Sequence, residues 1–137
     1  MVQREAADRL MSHPGSKSWC ALAATVQSYG AAEVLEDVPP DVFNPPPHVQ
    51  SQFILIRRHE TPVVTPRDYR HYLRVINAAF AMRRKTFANN LKASFGLDQA
   101  RAAELLSSLG LDPRVRGEAL TLQQLCSVSD ALGDGDV

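Results

Sequence analysis

The chain has 137 residues, the length of one ordinary domain, and its 45% apolar and 22% charged content excludes a disordered polypeptide. Basic and acidic side chains balance at 15 each, so the whole chain is neither strongly basic nor strongly acidic. No apolar run approaches the roughly 20 residues of a membrane span, and the N-terminal stretch with Arg4, Glu5, Asp8 and Arg9 has no signal-like apolar segment. The two cysteines, Cys20 and Cys126, sit far apart in helical patterns and read as buried, reduced thiols. A cytoplasmic location without membrane contact is expected.

In chain order, residues 3–12 read as a helix with Val2, Ala6, Leu10 and Met11 on one face, ended by His13-Pro14-Gly15. Ser16 is placed to cap a second helix over 17–29, with Trp19, Leu22, Ala23 and Val26 on its apolar side and Gly30 as its stop. Residues 32–38 lean towards β. Five prolines follow between 39 and 47, and each fixes φ and removes a backbone donor, so this stretch is predicted as a stiff extended loop. Phe43 sits on that loop, where an aromatic either plugs a core or offers a flat platform. Residues 49–57 form the strongest strand pattern, paired antiparallel with 32–38. Its second half is apolar on both faces and is therefore expected to be covered on both sides. A two-stranded sheet is marginal in water, so residues 1–58 look like the end of a larger α/β domain.

His59 to Pro66 reads as a linker, and everything after it is helical. The first helix, 67–82, carries Tyr69, Leu73, Ile76 and Phe80 on one face. Arg83-Arg84-Lys85 falls where that stripe should continue, which predicts a break with Thr86 capping the next helix. Asp98 is expected to cap a helix over 99–109 stopped by Gly110. Thr121 with Gln124 fits a capping box for a helix over 122–132. The predicted organisation is therefore residues 1–60 as an α/β part and residues 67–133 as a small helical domain.

The neutral total hides a local imbalance. Residues 61–95 hold seven cations (Arg67, Arg70, Arg74, Arg83, Arg84, Lys85 and Lys92) against one acid, Asp68. A cluster of this kind is either a solvated face or a seat for a polyanion. Arg83, Arg84 and Lys85 at a helix break, followed by Asn89, Asn90 and Lys92, have the donors to hold a phosphate backbone, with Arg57 and Arg74 as further candidates. His13, His48, His59 and His71 have no metal-ligand spacing with either cysteine, so no metal is expected. No nucleophile–base–acid arrangement and no phosphate-cradling glycine loop between strand and helix can be read.

Five ordered motifs resemble one family, the S-adenosylmethionine-dependent adenine dimethyltransferases of small-subunit ribosomal RNA. Met1 to Leu10 is similar to the segment after that family's target-base motif. Pro14-Gly15-Ser16-Lys17 and Val26-Gln27-Ser28-Tyr29 are similar to its next helix. Val38-Pro39-Pro40 with Phe43-Asn44-Pro45-Pro46-Pro47-His48-Val49-Gln50-Ser51 resembles its proline-rich signature, although His48 stands where the family usually has lysine. Ala79-Phe80, Arg83-Arg84-Lys85-Thr86 and Asn89-Asn90-Leu91 resemble its linker helix. Leu109-Gly110-Leu111-Asp112-Pro113 and Arg116-Gly117-Glu118 resemble its C-terminal bundle.

The resemblance implies an α/β plus α fold: the last part of a Rossmann-like methyltransferase domain with an antiparallel strand pair, then a helical rRNA-binding domain. It implies an enzyme that moves methyl groups from S-adenosylmethionine to the exocyclic amine of adenine in small-subunit rRNA, within a pre-30S-type particle, during ribosome biogenesis. It turns Phe43 towards the platform role beside a flipped adenine. Arg57, Arg74, Arg83, Arg84, Lys85 and Lys92 would contact RNA by shape and phosphate. The family's cofactor loop, acidic ribose contact and Asn-Leu-Pro-Tyr motif have no counterpart here, and Met1 falls at an internal family position. The chain is therefore expected to match the family's C-terminal half only, to contain no catalytic residue, to bind no cofactor alone and to be inactive in isolation. Two alternatives are a non-catalytic RNA-binding module over residues 61–133 and a transcription-factor-like relative that prefers promoter DNA. A resistance-type enzyme acting on large-subunit rRNA fits Arg83-Arg84-Lys85-Thr86 and Gly110-Leu111-Asp112-Pro113 less well.

Overall fold

A computed structural model describes residues 1–39 and 50–135. The chain divides into two compact units, Met1–Pro62 and Val63–Val137. No described helix is long and apolar enough to cross a membrane. The proline-rich stretch from Pro40 to Val49, with Phe43 on it, lies outside the described residues.

The first unit contains β1 (Val2–Gln3), α1 (Arg4–Leu10), α2 (Ala21–Tyr29), β2 (Gly30–Val38) and β3 (Ser51–Arg58). Its antiparallel sheet has three strands in the order β1-β3-β2, where the sequence indicated two. The added strand comes from the predicted first helix. Val2 and Gln3 pair with Gln52 and Ser51, and the Arg4 amide donates to the Gln50 carbonyl at 2.9 Å, so backbone pairing outweighs helical propensity there. The buried pair on α1 is Ala7 and Leu10, three apart, and Ala6 is exposed.

The second helix starts at Ala21, later than its pattern suggested, because Ser16 is engaged elsewhere. Its hydroxyl and its amide both donate to the His13 carbonyl, at 2.8 and 3.1 Å, closing a turn through Pro14 and Gly15. Trp19 is fully buried ahead of the helix, whereas Leu22 is 63% exposed. Gln27 Nε2 donates to the carbonyls of Leu10 and Ser12 at 2.9 and 2.7 Å, which ties the end of α1 to α2. Gly30 stops α2 after Tyr29, as expected, and in its extended conformation is also the first residue of β2.

The expected antiparallel pairing of β2 with β3 is present, in register from Gly30↔Arg58 to Val38↔Ser51, with a bulge between Val34 and Glu36. The expectation that the second half of β3 is covered on both faces does not hold among the described residues. Phe53 and Ile56 are 45% and 49% exposed, and Leu35 at the bulge is 60% exposed. A sheet of this size with two short helices has too little mass to cover both of its faces.

The second unit contains α3 (Tyr69–Ala79), α4 (Phe87–Phe95), α5 (Gln99–Ser108), a 3₁₀ turn (Gly117–Ala119) and α6 (Leu122–Gly135). Asp68 caps α3 by accepting from the Arg70 and His71 amides. The buried face of α3 is Tyr72, Val75, Ile76, Ala78 and Ala79, so the stripe is rotated from the predicted one and Tyr69 is exposed. Helix α4 ends in a left-handed Gly96, φ 69°, whose amide bonds to the Lys92 carbonyl. The capping box on α6 is complete: the Thr121 amide donates to Gln124 Oε1 at 2.9 Å, and the Gln124 amide to Thr121 Oγ1 at 3.2 Å. Phe87, Leu91, Leu106, Leu120, Leu125 and Val128 fill the core around α3, each at most 1% exposed.

Candidate nucleic-acid interface

The helix break predicted at Arg83-Arg84-Lys85 is a tight turn between α3 and α4. The amides of Phe80 and Ala81 bond back to the carbonyls of Asn77 and Ala78, ending α3, and the Lys85 amide donates to the Met82 carbonyl at 3.0 Å. Thr86 then starts α4, with its hydroxyl accepting from the Asn89 amide at 3.2 Å. Capping at this point leaves Arg83, Arg84 and Lys85 outside both helices and exposed to solvent.

A second segment braces the turn. The Phe87 amide donates to the Val115 carbonyl at 2.8 Å, which brings the 112–118 loop against the start of α4. Gly117 packs so tightly on the end of α3 that a β-carbon there would lie 2.6 Å from Ala79 Cα. Glu118 Oε2 accepts from Arg83 Nη2 and Nε at 2.9 and 3.2 Å. Arg114 and Arg116, exposed on either side of Val115, thereby join the basic surface. The charge count over residues 61–95 missed both because they lie in an acid-rich stretch. Their alternation about Val115, after the Asp112-Pro113 turn, was the available signal.

The other candidates are dispersed. Lys92 is exposed on α4, six residues beyond its cap and so about 9 Å along the axis from it. Arg74 lies against the ring of Phe95, 4.7 Å from its centroid, at the far end of α4 from the turn. Arg57 belongs to the first unit and pairs across the sheet with Glu33, Nε to Oε1 at 3.4 Å. Asn90 was expected to offer its amide to a phosphate, but it is 0% exposed and cannot reach one. Its Nδ2 donates instead to the Met82 carbonyl at 3.3 Å. Phe43 lies outside the described residues. Among the described residues, no group of three or more His, Cys, Asp or Glu side chains is placed to hold a metal.

The chain shares its fold with a dimethyladenosine transferase from Plasmodium falciparum, TM-score 0.78 at 18% identity, covering 96% of this chain and 55% of that one. It is also similar to the 23S rRNA methyltransferase ErmE, TM-score 0.59 at 18% identity, covering 96% and 52%. The fold is thus of the class found in rRNA-modifying methyltransferases.

The chain belongs to the ribosomal RNA adenine dimethylase family, whose profile matches residues 1–134. It is 43% identical over 134 residues to the ribosomal RNA small subunit methyltransferase A of Halothermothrix orenii, covering 96% of this chain and 44% of that protein. Against the protein of the same name from Shouchella clausii it is 41% identical, covering 96% and 45%. The chain spans just under half the length of these curated relatives. The expectation that the likeness is confined to the family's C-terminal half is not upheld by a match that begins at residue 1.

A nucleoside sulfonium is cradled where a strand runs through a glycine turn into a helix. Among the described residues, β1 runs directly into α1 at Gln3–Arg4 with no glycine and no side-chain cap. That junction does not fit S-adenosylmethionine, the cofactor of the family.

Proposed function

We propose that this chain forms the RNA-docking portion of an rRNA adenine N6-dimethyltransferase acting on small-subunit rRNA in a pre-30S-type particle during ribosome biogenesis. The observation that carries the proposal is the turn between α3 and α4, where Arg84 and Lys85 project outside both helices from a braced backbone. Cations held at a rigid corner meet a phosphate backbone without a large ordering cost, and they read the shape of a helical RNA rather than its bases. Arg114, Arg116 and Lys92 extend the contact. Phe43, by family resemblance, would stack beside the target adenine.

In this proposal the polypeptide alone neither binds S-adenosylmethionine nor methylates. Both parts are testable with the full chain and transcribed small-subunit rRNA. The double variant R84A/K85A is expected to lower the slope of log affinity against log salt by about two, since each phosphate-bound cation contributes close to one. An unchanged slope would remove the docking assignment. Labelled methyl transfer to the rRNA by this polypeptide alone would overturn the second part.

A further inference from the structure

Asn90 lies beneath the basic turn, fully buried, with its Nδ2 donating to the Met82 carbonyl. The same carbonyl accepts from the Lys85 amide at 3.0 Å, so one oxygen anchors both the turn and the side chain below it. Asn90 Oδ1 is also buried and has no hydrogen-bond partner among the described residues. An amide with one end satisfied and the other not is a poor choice for stability, because a leucine of similar size would remove the unsatisfied acceptor. Its position is explained if the donor end does something an apolar side chain cannot.

We infer that Asn90 is a positioning residue for RNA binding. By holding the Met82 carbonyl from inside, it fixes the path of residues 82–86 and so the direction in which Arg84 and Lys85 leave the surface. The inference rests on the docking assignment above and adds the residue that sets its geometry. Thr86 and Asn90 stand one helical turn apart on α4, with the Asn90 amide bonded to the Thr86 carbonyl at 3.1 Å, so the cap and the buried amide act on the turn from the same rigid helix.

The test compares the full-length chain with N90L, N90A and R84A/K85A, using a short RNA duplex as probe. Three quantities are read: affinity across a salt series, thermal midpoint, and hydrogen exchange at the Lys85 amide. In N90L the midpoint is expected to hold or rise, Lys85 to exchange at least about tenfold faster, and affinity to fall roughly five- to tenfold at 0.1 M salt. That fall corresponds to about one phosphate contact. If N90L is poorly folded, N90A supplies the same readouts with the donor removed. Native Lys85 protection, or native RNA affinity, in a folded Asn90 variant would overturn the role of Asn90 while leaving the docking assignment intact. No effect of R84A/K85A would overturn the docking assignment, and with it any role of Asn90 in binding.

Discussion

Gly117 offers the sharpest test of how the basic turn is built. A β-carbon at this position would lie 2.6 Å from Ala79 Cα and 2.7 Å from its carbonyl carbon, and it would also strike the Ala79 carbonyl oxygen. These are backbone atoms at the end of α3, so no side-chain rotation relieves the overlap, and either the helix end or the 3₁₀ turn must move. Forcing one methyl group into a packed core costs about 1–3 kcal/mol. For a helical unit of this size each kcal/mol lowers the midpoint by about 4–8 °C, so G117A is expected to melt roughly 5–15 °C below the native chain. The displaced segment carries Glu118, so the same variant should also disturb the Arg83–Glu118 ion pair. The assay is thermal unfolding followed by circular dichroism at 222 nm on the full chain. G110A is the control: Gly110 has φ 77° but nothing within 4 Å of an added β-carbon, so only left-handed strain, about 1–2 kcal/mol, is expected. A G117A midpoint within about 2 °C of native would refute the close approach and the bracing derived from it.

Three further outcomes are expected. D68A removes the side-chain acceptor for the Arg70 and His71 amides and should cost about 1 kcal/mol, read as a midpoint lower by about 4–8 °C. E118K replaces the carboxylate beside Arg83 with a cation, so the salt slope of RNA binding should rise by up to about one for the added charge, and an unchanged slope would show that this position does not reach the RNA backbone. Burial pushes the Cys126 thiol above its ordinary 9.0, Asp130 adds to the rise, and a backbone hydrogen bond with Thr65 opposes it. The folded protein therefore holds this proton more tightly than the unfolded chain, and the resulting stability is complete below the ordinary thiol value and lost as pH rises through the folded one. C126A should flatten the alkaline fall of the melting temperature, and a native-like fall would sink the assignment.

What was legible in the sequence tracked how local each signal was. The turn between α3 and α4, the Thr86 cap and the Thr121–Gln124 box were readable because each depends on a few adjacent residues. The β2–β3 pairing was readable from alternation and β-branched content. What failed was the choice between competing partners. Nothing in Val2-Gln3 announces that Ser51 and Gln52 will recruit them as a strand, and nothing in Ser16 shows that its hydroxyl closes a turn onto His13 instead of capping a helix. The rotated stripe on α3 includes the small buried Ala78 and Ala79, the second packed closely on Gly117, which a periodicity count centred on large side chains cannot detect.

The charge pattern shows why a count of cations is a poor map of an interface. Of the seven between residues 61 and 95, Arg83 is engaged by Glu118 and Arg74 by the Phe95 ring, while the single acid, Asp68, is committed to capping α3. The surplus of six is therefore neither all available nor all in one place. Arg84 and Lys85 share the corner between α3 and α4, and the 112–118 loop brings Arg114 and Arg116 towards it through the Phe87–Val115 hydrogen bond. A polyanion responds to the local density of such groups more than to their total, because screening at physiological salt confines each charge to about 8 Å. The loop that looked acidic in the sequence thus brings two arginines towards the corner, and two of the candidate cations, Arg83 and Arg74, make internal contacts.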